Sequence, residues 1–503
     1  MNSVRIILRY IFACLLLLPL FSVAGTIVYP WRAAPTFAKS GNNFSILFDN
    51  LYHTKIDSVV LVGPYNRVAL TIDSVVIGRF EYDSFTKLSV NNTIWVRVPK
   101  VVPEELYDLF IHCGREVHLS PRSVKVVHEF NPSHSFIHIS DLHVSRQWVG
   151  TGDDGYAKEL ELFDRFVEVA NIIAPDFVIV TGDIIHHYTL FDADSAGWGE
   201  KKAYDAIQRP LVEEKYKNYY EGANGFSGIN GINAPVFSLP GNHDSYGVNR
   251  KDHLEMASQW NQMCGNRVYG FSYAGTRVIA ADDFLGDPVN DIPDSSPMSG
   301  LQGKILESFL KENGPGKIRI MAQHRPDRID TSFIDTHKIN ILLNGHRHNP
   351  FEEKVGATPT LSIRPGTVCR SGEISRWQET LGFFRIFYVD GDRFEYTPPL
   401  RFCKNPTANY GQLDLNLILL YKNQNDGSSS INEANITNSF DIDLPKCKIR
   451  FVMKKGNYKV SGGTIHQVFQ TDSLSIIDVY TEVLANSDKK VNIYRSNQGT
   501  LIQ

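Results

Sequence analysis

Closely spaced cysteines are missing from this chain. Its six cysteines, Cys14, Cys113, Cys264, Cys369, Cys403 and Cys447, lie far apart, which excludes the close Cys-Cys spacing of a structural zinc site and a dense disulfide scaffold. An excess of one charge is missing too. With 51 Lys and Arg against 55 Asp and Glu, the net charge is −4, and no general nucleic-acid binding is expected. A sizeable uncharged apolar stretch occurs at 10–24, shorter than the roughly 20 residues of a membrane span. Arg5 and Arg9 precede this stretch and Ser22, Val23 and Ala24 close it. It therefore reads as an export signal, residues 1–24, cleaved after Ala24. A secreted, periplasmic or outer-surface protein is expected.

Between 25 and 129 helical periodicity is absent. Short runs rich in β-branched residues, at 59–62, 68–72, 74–77, 93–98, 106–111 and 123–127, alternate with turns, so a small β-sandwich is expected. Phe44, Phe48, Trp95 and Phe110 are its expected aromatic core. From 130 to 398 the period changes. Apolar strand-like runs at 136–140, 177–181, 236–239, 277–281, 318–322 and 339–343 alternate with helical patterns at 157–173 and 305–310. Such alternation predicts an α/β layered domain with strands buried on both faces. Residues 399–503 lose the helical pattern again. A polar loop at 423–438 and strands at 448–453, 457–460, 465–470, 474–483 and 490–494 predict a second β-sandwich.

The middle region carries the chemistry. Asp141 and His143 follow one apolar run, Asp183 another, Asn242 and His243 a third, His324 a fourth, and His346 and His348 a fifth. Loops at the carboxyl ends of parallel strands converge on one crevice, so ligands spread along the sequence can surround one point. Anionic oxygens mixed with neutral imidazoles suit a pair of transition-metal ions. Asp183 is the expected bridge, with Asp141, His143 and His348 on one ion and Asn242, His324 and His346 on the other. Gly345 is expected to supply the turn that lets His346 and His348 address different ions. Ions roughly 3.5–4 Å apart would activate a shared hydroxide for direct attack on phosphorus, and His243 would protonate the leaving oxygen as general acid.

These motifs, ISDLH, TGD, GNHD, QH and GHRH, occur in the order of the calcineurin-like metallophosphoesterases, which the chain resembles over 136–389. The resemblance implies a two-layered β-sheet sandwich flanked by helices. It also implies two ions (manganese, iron or zinc) and metal-dependent hydrolysis of phosphate monoesters or diesters. The sequence departs from the family at His186, where Ser/Thr phosphatases carry an aspartate that orients the catalytic histidine. Asp244 is the candidate replacement for that carboxylate. The N-terminal part resembles an immunoglobulin-like domain, and the C-terminal part resembles β-rich tails of secreted members.

The substrate is expected to be a small-molecule, nucleotide or lipid-headgroup phosphate ester. Residues 187–233, with Tyr204, Tyr216, Tyr219, Tyr220 and several lysines, read either as a partial cap that stacks on substrate or as an insertion with its own aromatic core. Arg347, between the last two ligand histidines, is a further candidate for substrate contact. A reading from another class is a surface or secreted adhesion protein whose phosphoesterase domain is minor or inactive.

Overall fold

The computed structural model describes residues 25–50, 54–83, 88–144, 155–186, 209–245, 250–284, 298, 300–312, 317–368, 381–406 and 411–496. The expected export signal and residues 187–208 of the candidate cap lie outside the described residues.

Residues 25–127 form one hydrogen-bonded path of eight strands. Alternation along each strand sends Ile46, Phe48, Val59, Leu61, Ile94, Val96, Leu109 and Ile111 into a single core. That same period of two corrects the expectation for Trp95. With Ile94 and Val96 facing inward, the indole must face outward, and it is 42% exposed. Phe110, between Leu109 and Ile111, is likewise only half-buried.

The middle of the chain builds two sheets. One runs Val236–Leu239, Phe177–Thr181, Ser133–Ile139, Phe383–Asp390, Arg393–Tyr396. The other runs Tyr269–Tyr273, Thr276–Ala280, Ile318–Ala322, Ile341–Leu343, Thr360–Arg364, Phe351–Val355. Phe136, Phe177, Ile179 and Phe237 of the first share one apolar cluster with Val278, Ile320, Ile341 and Ile363 of the second. On the far side of the first sheet, Ile137, Ile139, Val178 and Val180 meet Leu162, Phe163, Phe166 and Ala170 of helix Gly155–Ile173. On the far side of the second, Ile279, Met321 and Leu342 meet Leu306 and Leu310 of helix Gly300–Glu312 and Phe333 of helix Thr331–Thr336. The central strands are therefore buried on both faces, which is why they read as unbroken apolar runs. Phe177–Thr181 runs parallel to both of its neighbours, and Thr276–Ala280, Ile318–Ala322, Ile341–Leu343 and Thr360–Arg364 run parallel to one another. Within each sheet the carboxyl ends of these strands therefore lie on a common side.

Residues 417–495 form a four-stranded and a three-stranded sheet, and their core runs on into that of helix Gly155–Ile173. The stretch expected as a polar loop contains strand Ile431–Asn438. Asn432 and Asn438 point inward beside Ala434 and Ile436. Asn432 bonds both backbone groups of Asn423, and Asn438 donates to the carbonyls of Ile442 and Leu484. Satisfied buried amides let turn-type residues occupy strand positions. Cys113, Cys264, Cys403 and Cys447 are buried, and Cys369 lies outside the described residues.

Candidate metal centre

Asp141, His143, Asp183, Asn242, His324 and His348 are buried, and His346 is partly so. The loops that carry them are laced together. The amides of Asp141, His143 and Val144 donate to the carbonyls of Gly182, Asp183 and Ile184 at 3.1, 2.8 and 2.7 Å. Asp141, His143, Asp183, His346 and His348 have φ of 56, 52, 52, 72 and 57°, a left-handed conformation that non-glycine residues adopt at a cost of about 1–3 kcal/mol each. Such a backbone turns each side chain off the line of its strand and into the crevice.

The turn at the last two ligands differs from the expectation. The histidines themselves carry the positive φ, whereas Gly345 is needed for closeness. A Cβ on Gly345 would lie 1.9 Å from Ser140 Oγ and 2.7 Å from Asp141 Oδ2. Gly241 is similarly tight, since a Cβ there would lie 2.2 Å from Asp183 Oδ1.

Besides the trio His143, His186 and His243, two ligand groups emerge, Asp141, His143, Asp183 and His348, and Asp183, His324 and His346; within each, all ligand atoms lie within 4.8 Å of one another. Asp183 belongs to both. In the first group, His348 Nε2 is 3.2 Å from Asp141 Oδ1 and 3.1 Å from His143 Nε2. His143 Nε2 is 3.5 Å from Asp183 Oδ2. In the second, His324 Nε2 is 3.0 Å from the same Oδ2, and His346 Nδ1 lies 2.9 Å from Asn242 Oδ1.

The residues fit metal ions. His324 Nδ1 donates to the Thr181 carbonyl at 2.7 Å, which leaves Nε2 facing inward. That buried Nε2 makes no hydrogen bond, although Asp183 Oδ2 is close. Nitrogens and carboxylate oxygens that converge around such an unsatisfied buried nitrogen form a donor set suited to cations. Electrostatics agrees. Burial would raise the Asp141 and Asp183 carboxyls, but the surrounding imidazoles hold both well below the usual range. Burial takes His143 down to about 3 and His346 down to about 4, which keeps their rings neutral. Burial opposes charge on His324 also, yet Asp183 raises it to about 10.

His243 is half-buried beside the first group, its ring 4.7 Å from that of His143. Its backbone N–H donates to Asp183 Oδ1 at 2.9 Å, and its Nδ1 donates to the backbone carbonyl of His186. His186 stacks on His243 with ring centres 5.1 Å apart and places its Nδ1 3.1 Å from His143 Nδ1. Asp244 does not replace the family carboxylate as expected. Its oxygens accept the amides of Ile184 and Ile185 at 3.1 Å, that of Gly241 at 2.8 Å, and the Tyr216 hydroxyl at 3.3 Å. Three inward-facing backbone donors capture this side chain, so it fastens two ligand loops together. Burial with Asp183 nearby raises it to about 7. Arg347 is exposed between His346 and His348.

Sequence reasoning missed Asp283. It is buried just beyond strand Thr276–Ala280, and one oxygen accepts the amide of Arg325, the residue after His324. The rule that found the other loops, an acid directly after an apolar run, applies equally to the sequence RVIAADD. Sequence reasoning also left open a cap that stacks on substrate. In the described part of that segment, helix Arg209–Glu221, Tyr216, Tyr219 and Tyr220 are buried. Tyr216 packs edge-on to Trp260, and Tyr219 bonds Ser238 at 2.9 Å. These tyrosines are core, and they are not placed to stack on a ligand.

Residues 134–350 match the family model described as calcineurin-like phosphoesterase. This stretch is a calcineurin-like phosphoesterase domain. Its family is one of metal-dependent phosphoester hydrolases, and the buried Asp/His groups supply residues that could hold metal. No curated protein matches the chain. Among solved structures, the Corynebacterium glutamicum amylomaltase is 10% identical with a TM-score of 0.16, over 31% of this chain and 21% of that one. Two Bacteroides fragilis proteins, a putative alpha-galactosidase/melibiase and a putative alpha-galactosidase, are 8% and 10% identical with TM-scores of 0.18 and 0.15. Each match covers 94% of this chain and 98% of the other. At such scores these likenesses carry no argument about the phosphoesterase domain or its flanking sheets.

Proposed function

We propose that the phosphoesterase domain hydrolyses phosphate esters at a centre of two transition-metal ions. The observation that carries this reading is the shared Asp183, common to the two ligand groups. Asp141, His143 and His348 would complete one site, and Asn242, His324 and His346 the other. When bound, such ions supply Lewis acidity toward phosphoryl oxygens and activate water near neutral pH.

The protein's own residues do the rest. The Thr181 carbonyl sets the tautomer of His324, so its Nε2 faces the shared carboxylate. The His186 carbonyl does the same for His243, holding Nδ1–H and leaving Nε2 to carry a transferable proton. His243 is thereby suited to protonate the leaving oxygen of the ester. A carbonyl acceptor also stabilises the charged imidazolium, which is the task the family aspartate would perform. The arrangement acts on the phosphoryl group that monoesters and diesters share.

The test is release of p-nitrophenol from p-nitrophenyl phosphate and bis-p-nitrophenyl phosphate. Turnover should vanish on chelation and return with manganese, zinc or iron. No turnover of either ester with any of these ions would overturn the proposal.

A further inference from the structure

Away from the metal centre, a cavity of about 640 Å³ lies where the three parts of the chain meet. It opens beside Asn131 and Pro132, at the start of strand Ser133–Ile139, whereas Asp141 follows the end of that strand. The N-terminal part contributes Glu104 and Lys125, the phosphoesterase domain Asp176 and Tyr273, and the C-terminal sheets Lys446, Lys448, His466 and Tyr480.

Hydrogen-bond capacity decides what such a cavity can take. Its central acids are already satisfied. Asp176 accepts the Tyr273 hydroxyl at 3.1 Å, the Ser135 amide at 2.9 Å and Lys446 at 3.3 Å. Glu104 accepts the His128 amide at 2.6 Å and His466 Nε2 at 2.7 Å. Exposed Glu129 is taken by Lys39. Lys448 uses one of its donors on Asp478 at 3.0 Å. Lys125 has no hydrogen bond or ion pair among the described residues. The spare capacity of the cavity is therefore donor capacity held by ammonium groups, and the partner that satisfies it is an anionic acceptor. The volume suits a ligand of sugar size.

We propose that this cavity binds a small anionic solute, a carboxylate- or phosphate-bearing molecule of sugar size, with Lys125 as its principal donor. Burial, reinforced by the neighbouring Lys448 ammonium, pushes Lys125 down to about 8. Glu105 and Glu104 act in the opposite sense, the ammonium stays charged at neutral pH, and an anion would offset its burial and the repulsion from Lys448. This site does not depend on the hydrolytic reading, since it shares no residue with the metal ligands.

Calorimetric titration of the intact protein tests it, with sodium glucuronate as the carboxylate probe, sodium sulfate as a phosphate-like probe and glucose as the neutral control. One equivalent of glucuronate or sulfate should bind, and which of them binds identifies the anion class. Lys125→Met should weaken that binding at least about tenfold, Asp183→Asn should leave it intact, and glucose should not bind. Should Lys125→Met misfold, acetic anhydride labelling of the unaltered protein gives a second reading. Acylation of Lys125, followed by mass spectrometry, should slow in the presence of the bound anion. Saturation by neither anion would overturn the proposal. So would equal binding by Lys125→Met, loss of binding on Asp183→Asn, or Lys125 labelling indifferent to the anion.

Discussion

The backbone N–H of His243 donates to Oδ1 of Asp183 at 2.9 Å, while Oδ2 of the same carboxylate lies 3.0 Å from His324 Nε2. One side chain thus fixes the loop that carries the proposed acid and belongs to both ligand groups. Disturbing it should affect metal and chemistry together.

Asp183→Asn should reduce bound metal from two ions per chain to one or none. Turnover should fall by roughly three orders of magnitude, about 4 kcal/mol in the barrier. Elemental analysis beside steady-state rates is the check. Two tightly held ions with unchanged turnover would refute the shared role of this carboxylate.

His243→Ala should preserve the metal held by the two groups that share Asp183, because His243 belongs to neither. Rates on esters with poor leaving groups should drop about 10²–10⁴-fold, and much less on p-nitrophenyl esters. A uniform loss across a leaving-group series would argue against proton donation.

Asp244→Ala should act on stability. It strips the acceptor from three buried amides, at about 1–3 kcal/mol for each group left unsatisfied. A marked fall in melting temperature is expected, whereas Tyr216→Phe, which removes one donor at 3.3 Å, should lower it only slightly. Equal melting of Asp244→Ala and the unaltered protein would show that these amides find other partners.

Gly345→Ala places a methyl group 1.9 Å from Ser140 Oγ. Overpacking of this kind costs about 1–3 kcal/mol, and the displaced Asp141 should loosen the ion held by Asp141, His143 and His348. Metal retention during dialysis measures the effect; retention equal to that of the unaltered protein would refute it.

Glu104 gives a pH test remote from the metal centre. Burial opposes its charge, but His466 and the His128 amide lower it to about 2 from an ordinary 4.5. A depressed carboxyl stabilises the fold above pH 4.5, and that contribution is lost as pH falls toward 2. Glu104→Gln should therefore melt below the unaltered protein at pH 7, with the gap closing between pH 4.5 and 2. A gap constant over that range would rule out this linkage.

Much of the fold and the candidate site was legible in the sequence because each feature rested on a short-range pattern. Unbroken apolar runs such as Phe177–Thr181 announce strands buried on both faces, and the acids and histidines directly after them mark loops on the side where those strands end. The alternation that predicted strands around 93–98 could equally have turned Trp95 outward, since Ile94 and Val96 already claim the inner face. Other features depended on which partners folding brings near. Asp244 could orient His243 or fasten loops, and only the arrival of the Ile184, Ile185 and Gly241 amides at its oxygens decided for fastening. The tyrosines of Arg209–Glu221 had the composition of a binding platform, but Trp260 and Ser238 absorb them into the core. The junction cavity joins Lys125 to Lys448 across more than three hundred positions. A local pattern carries no record of such distant partners, because burial and hydrogen-bond satisfaction are properties of the packed chain.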